Sequence, residues 1–114
     1  MKLLIVDDNA QMRQMIRNVV ENPGDEIIEL SDGSEALKTY AHYKPDWVFM
    51  DIKMKIVDGI TATRILKNAY PDAHVAIVTQ YTDKKFHDEA QSAKADAFVS
   101  KENLLELKNI IGKR

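Results

Sequence analysis

Residues 46–55, Asp46-Trp47-Val48-Phe49-Met50-Asp51-Ile52-Lys53-Met54-Lys55, decide the fold: a short apolar run stops at a single carboxylate. The run is rich in aromatic and β-branched residues, too short for a typical helix and apolar without alternation, as buried parallel strands are. The same layout recurs along the chain. KLLIV (2–6) precedes Asp7 and Asp8, EIIEL covers 26–30, HVAIV (74–78) precedes Thr79, and DAFVS (96–100) precedes Lys101. In open α/β sheets ligands bind just outside the carboxyl ends of the strands. Asp7, Asp8, Asp51, Thr79 and Lys101 are therefore expected to meet at one edge of a sheet.

Helical patterns separate these runs. Met12, Met15, Ile16, Val19 and Val20 follow the i, i+3, i+4, i+7, i+8 rule, predicting a helix over Asn9 to Glu21 with Asp8 as N-cap and Met12 and Met15 in its core stripe. Pro23-Gly24-Asp25 stops it. After strand two (Glu26 to Leu30), Ser31-Asp32-Gly33 leads to a helix with Ala36, Leu37, Tyr40 and Ala41 inward, ended by Lys44-Pro45. Strand three runs from about Asp46 to Met50 and carries Trp47; a third helix runs from Asp58-Gly59 through Ile60, Thr63, Leu66 and Lys67 to Pro71. Strand four is His74 to Val78, and Thr82 or Asp83 caps a fourth helix with Phe86, Ala90 and Ala93 inward. Strand five, Ala97 to Ser100, leads to a last helix bearing Leu104, Leu107, Ile110 and Ile111. Its end, Gly112-Lys113-Arg114, offers a C-cap glycine and cations suited to a helix terminus. Five strand-helix units imply an α/β fold: a parallel sheet with right-handed crossovers and helices on both faces.

The 114 residues suit one domain spanning 1–114, and the stop after the fifth helix leads us to expect a stand-alone module. A net charge of −2 provides no bulk attraction for nucleic acid, so direct DNA binding is not expected. No apolar run approaches the roughly 20 residues of a membrane span, and the cytoplasm is the default location. With no cysteine, chemistry falls to oxygen and nitrogen groups.

Asp7, Asp8 and Asp51 crowded at one edge would repel unless protonated or neutralised. Hard oxygen ligands without sulfur suit Mg²⁺, which binds through one or two carboxylates plus phosphate. Lys101, where the last strand hands over to a helix, opposes the macrodipole and favours a nearby anion. A phosphoryl group on Asp51 would supply it, with the Thr79 hydroxyl at the same edge. That arrangement points to phosphoryl transfer by positioning and charge neutralisation.

The segments LLIVDDN, WVFMDIKM, DGITATR, AIVTQ and AFVSK resemble the receiver domains of two-component response regulators, and the resemblance covers essentially the whole chain. It implies a flavodoxin-like (CheY-like) doubly wound sheet of five parallel strands in the order 2-1-3-4-5, with five helices on two faces. It also implies that Asp51 is the phosphoacceptor, that Asp8 and Asp51 bind Mg²⁺ directly with Asp7 acting largely through water, and that Lys53 lends its backbone carbonyl. By the same resemblance Thr79 and Phe98 are the switch residues and Lys101 pairs with the phosphoryl group. The implied donor is a phosphohistidine on a sensor histidine kinase or histidine phosphotransfer protein. The implied downstream target docks on helix 4, strand 5 and helix 5. Because the acyl phosphate forms on the chain itself, a conventional enzyme is not expected.

Several positions depart from the family pattern. Lys55 stands where proline is usual and loosens the loop after Asp51. Gln80 replaces a small residue, so it is expected to shield the phosphoryl group and slow small phosphodonors. Lys94 and Ala97 occupy positions where glycine is common, and a positive φ at Lys94 would add strain of order 1 kcal/mol. Glu102 replaces a frequent proline, as in receivers resembling NarL and FixJ, and favours a trans bond after Lys101. These departures motivate an alternative: a degenerate receiver acting as a phosphorylation-independent interaction module. The complete Asp, Thr and Lys set opposes it. A hydrolase of the haloacid-dehalogenase type needs a second Asp two residues after its nucleophile, a spacing that Asp7-Asp8-Asn9 lacks. His42, His74 and His87 show no paired ligand spacing and read as surface residues. The charges of the fourth helix, Lys84, Lys85, Asp88 and Glu89, read as a solvated face.

Overall fold

In the computed structural model, which describes residues 1–112, strands and helices alternate along the chain. The strands are β1 (Lys2–Val6), β2 (Glu26–Leu30), β3 (Trp47–Met50), β4 (Val75–Thr79) and β5 (Ala97–Ser100). The helices between and after them are α1 (Ala10–Val20), α2 (Ala36–Tyr43), α3 (Gly59–Ala69), α4 (Lys84–Ser92) and α5 (Glu106–Ile111). All strands are parallel, in the order β2-β1-β3-β4-β5. This is the doubly wound, flavodoxin-like sheet that the resemblance implied.

Side chains alternate across each strand, so every central strand feeds two cores. Leu3 and Ile5 of β1 pack with Ile16 and Val20 of α1 and Leu107 and Ile111 of α5. Leu4 and Val6 face the other way, with Val48, Met50, Val75 and Ile77, onto Ala36 of α2, Leu66 of α3 and Ala90 of α4. Burying each such Leu or Ile contributes roughly 1.5–3 kcal/mol. Edge strand β2 is only half covered and keeps Glu26 and Glu29 in solvent.

Local structure departs from the sequence reading at several places. Asn9, not Asp8, caps α1: its Oδ1 accepts from the Met12 N–H at 3.0 Å, which leaves Asp8 exposed at the sheet edge. Met15 is 49% exposed, because Met12, Ile16, Val19 and Val20 already fill the inward arc of α1. In α2 the inward line runs from the 3-10 turn Gly33–Glu35 through Ala36 and Tyr40. Leu37 and Ala41 stand one residue, about 100°, further round and face solvent. Asp46 and His74 fall just before their strands, and α3 ends at Ala69, ahead of Pro71. β4 runs one residue further than expected, so Thr79 lies on the strand. Asp83 holds the N-cap position of α4 without a side-chain capping bond. The last helix is split: a 3-10 turn, Lys101–Asn103, precedes α5, and Ser100 Oγ accepts from the Glu102 N–H at 3.1 Å. Gly112 caps α5 at φ −64°, an ordinary helical value rather than a left-handed one. Lys113 and Arg114, expected as helix-end cations, lie outside the described residues. Lys94, where glycine is common, does have a positive φ, 69°, and Lys44 shares the conformation at 50°. No cis peptide bond occurs among the described residues, in line with a trans bond after Lys101.

Candidate functional site

The sheet itself delivers the first two carboxylates. Asp7 N–H donates to Leu30 O at 3.0 Å and Asp51 N–H donates to Val6 O at 2.8 Å. Both residues thus continue the strand pairing one step beyond β1 and β3. Their side chains are buried, with Asp7 at 0% and Asp51 at 5% exposure, while Asp8 is open to solvent. One oxygen from each of Asp7, Asp8 and Asp51 lies within 4.8 Å of the others. Lys101, from the end of β5, places its Nζ 3.0 Å from Asp7 Oδ2 and 3.3 Å from Asp51 Oδ1. It meets Asp7 Oδ2 at ion-pair distance but outside hydrogen-bond geometry.

Charge is out of balance here. Burial, reinforced by the Asp7 charge, pushes the Asp51 carboxyl up to about 6; Lys101 and the Ile52 N–H, 2.9 Å from Oδ1, pull only partly the other way. For Lys101 burial works against the charge, but contacts with Asp7 and Asp51 outweigh it and raise its pKa. One ammonium thus faces three carboxylates. Clustered hard oxygens, no sulfur and an uncompensated negative charge fit a small divalent cation such as Mg²⁺.

The other expected residues surround this group. Thr79 is buried at the end of β4, next to β3, and its Oγ1 accepts from the Tyr81 N–H at 2.9 Å, which leaves the hydroxyl proton free to donate outward. Thr79 is in register with Ser100, immediately before Lys101. Phe98 is half-buried on β5, with its ring 4.9 Å from the His87 ring of α4. Gln80, Lys53 and Lys55 are exposed in the loops around the site.

Three residues that sequence reasoning left without a role in the site shape it. A Cβ on Gly59 would lie 1.6 Å from Asp51 O, so only glycine lets the start of α3 close on the strand end that carries Asp51. The Asp58-Gly59 pair had signalled only a helix start. Asp32, in the β2–α2 loop, accepts from the Ile56 N–H at 2.9 Å and the Val57 N–H at 3.2 Å, pinning the loop after Asp51. Burial is the largest single influence and raises its pKa, but the hydrogen bonds from Ile56, Ser34 and Val57 together outweigh it and hold it below the usual carboxylate value. Arg13 Nη1 donates to Asp7 O at 2.6 Å, steadying the backbone there. No local pattern marks Asp32 or Arg13, because their partners are distant in sequence or on the main chain.

The chain matches the response regulator receiver domain family over residues 3–111. It belongs to that family. Chemotaxis protein CheY of Halobacterium salinarum is 36% identical to this receiver over 100 residues, which cover 88% of the chain and 83% of that protein. A protein-glutamate methylesterase/protein-glutamine glutaminase of Hahella chejuensis is 40% identical over 83 residues, covering 72% of the chain but only 24% of that protein. Among solved structures, response regulator TrrA from Thermotoga maritima, in complex with Mg²⁺ and BeF, superposes with a TM-score of 0.87 at 29% identity, covering 98% of this chain and 96% of that one. In this receiver Asp7, Asp8, Asp51 and Lys101 come together at the carboxyl edge of the sheet, with Thr79 at the next strand end. Among the described residues, no helix is long and apolar enough to cross a membrane.

Proposed function

We propose that this receiver accepts a phosphoryl group on Asp51 from a phosphohistidine of a sensor histidine kinase or histidine phosphotransfer protein. The observation that carries the reading is the buried Asp51 carboxylate, 3.3 Å from Lys101 within a three-carboxylate cluster. Asp8, Asp51 and the Lys53 carbonyl would hold Mg²⁺, with Asp7 acting largely through water. Bound there, the cation supplies charge neutralisation. The TrrA relative, which holds Mg²⁺, supports this assignment.

In the transfer, an Asp51 oxygen attacks phosphorus, the P–O bond forms as the P–N bond breaks, and the imidazole leaves with the electron pair. Lys101, already beside Asp51, pairs with the phosphoryl oxygens, and the Thr79 hydroxyl donates to one of them. Thr79 and Phe98 then shift inward and remodel the surface of α4, β5 and α5 for a downstream protein. Water later hydrolyses the acyl phosphate, so the self-catalysed cycle resets the switch without making the chain a conventional enzyme. We assign residues 1–114 to one receiver domain acting in the cytoplasm, and Glu102 after Lys101 supports a place among receivers resembling NarL and FixJ.

Incubation with acetyl phosphate and Mg²⁺, followed by mass spectrometry of the intact protein, is expected to reveal one phosphoryl adduct that Asp51→Asn abolishes. No adduct from either acetyl phosphate or a phosphorylated histidine kinase would sink the reading.

A further inference from the structure

Lys53 has a side chain whose placement the phosphoryl-transfer reading does not use. It is the second residue after Asp51 and exposed, yet its ammonium does not simply extend into solvent: Nζ lies 5.0 Å from the Tyr81 ring centroid and 5.4 Å from that of Phe86. The two rings are 5.6 Å apart and inclined at 53°, forming an open V that bridges the β4–α4 loop and the first turn of α4. Both rings are half-buried, so the V is backed by the protein. Both distances are within the roughly 6 Å at which a ring face attracts a cation.

An ammonium two residues from Asp51 could otherwise turn toward the acidic cluster. Consecutive Cα atoms are about 3.8 Å apart, so the lysine stem can span that separation. The pull is strong, because among the described residues the one cation paired with this cluster is Lys101, which meets Asp7 and Asp51. Asp58, also near Lys53 along the chain, is already engaged by the Thr61 N–H at 2.8 Å and the Thr61 hydroxyl at 2.9 Å. A second ammonium on the carboxylates would compete directly with a divalent cation for the same oxygens.

We propose that Tyr81 and Phe86 form an aromatic clamp that parks the Lys53 ammonium away from Asp7, Asp8 and Asp51, keeping the carboxylates open to a divalent cation. Tyr81 and Phe86 are thus positioning residues that act through Lys53. The inference rests on the reading of the acidic cluster as a Mg²⁺ site. It also gives the β4–α4 segment a say in metal occupancy: whatever moves Tyr81 or Phe86 releases a competitor into the site. Phe86 is shared with Lys85, whose Nζ lies 5.7 Å from its centroid, so Tyr81 is the ring particular to Lys53.

The test is Mg²⁺ titration by calorimetry, with no phosphodonor present. Tyr81→Leu combined with Phe86→Leu is expected to weaken Mg²⁺ binding by about three- to tenfold, the scale of one added charge near the site. Adding Lys53→Met to that pair should restore most of the lost affinity, while Tyr81→Phe, which keeps the ring, should bind as the wild type does. Unchanged affinity in the Leu pair would overturn the clamp, and so would a loss that Lys53→Met fails to reverse. If the Leu pair does not fold, Tyr81→Leu alone against Tyr81→Leu with Lys53→Met provides the same contrast. Absence of Mg²⁺ binding by the wild-type protein removes the metal site itself and the clamp with it, an outcome distinct from a wild type that binds while the clamp variants do not differ.

Discussion

The two ends of the sheet use aspartate in opposite ways. At the amino edge Asp46 Oδ2 accepts from the Lys2 N–H at 2.7 Å, and Asp25 holds the N-terminal ammonium at 3.1 Å and the Asn22 N–H at 2.9 Å. Asp96 there takes the Val75 N–H at 2.7 Å and the Lys67 ammonium at 3.1 Å. At the carboxyl edge three carboxylates crowd against Lys101, and Asp51 is pushed up to about 6, by burial first and the Asp7 charge second. The first set closes the fold; the second leaves electrostatic strain that an added cation or a proton on Asp51 relieves. At the carboxyl edge Asp51 takes the Ile52 N–H and Asp7 takes the Asn9 N–H, each at 2.9 Å, yet Asp7 Oδ2 keeps no hydrogen-bond donor and the clustered negative charge stays only partly matched.

Substitution should expose that difference as a change of sign. The largest effect is expected at the amino edge, where Asp96→Ala orphans the buried Val75 N–H and removes a partner of Lys67. It should destabilise the protein by about 2–3 kcal/mol in urea unfolding. At the carboxyl edge Asp51→Asn is expected to stabilise the metal-free protein at pH 7 by about 1–3 kcal/mol, because it removes a buried charge. Native Asp51 binds its proton more tightly than the unfolded chain does, so its contribution is complete below about pH 4 and is lost as pH rises through about 6. The gain from Asp51→Asn should therefore fade toward pH 4, as unfolding in EDTA at both pH values would reveal. A loss of stability in Asp51→Asn at pH 7 would erase the contrast. The smallest effect concerns backbone rather than charge. Lys94, two residues before Asp96 at the amino edge, has φ 69°, and Lys94→Gly should raise stability by about 0.5–1 kcal/mol without changing Mg²⁺ affinity.

Much of this contrast is legible in the chain. The short apolar runs mark the strands because a parallel strand buried on both faces must be apolar throughout, and whatever polar residue follows such a run is carried to the sheet edge. Asp7, Asp51, Thr79 and Lys101 were readable for that reason. Caps and helix faces were less so. Asp8 and Asn9 are both good caps, and only the path of the chain out of β1 makes Asn9 the one whose carbonyl reaches the Met12 N–H. Met15, Leu37 and Ala41 are apolar residues on the flank of their helices, where a one-residue rotation separates core from solvent.

Local periodicity and residue type set the five-unit alternation, the elements that bury, and which chemistry-bearing residues stand at strand ends. Tertiary structure alone decided the rest: the close approach of Gly59 to Asp51 O, the reach of Asp32 to a loop 24 residues away, and the Lys53 ammonium between Tyr81 and Phe86. It also decided the burial, and the Asp7 charge beside it, that lift Asp51. These depend on distances between segments remote in sequence, and electrostatic and packing energies are set by such distances, which no local pattern encodes.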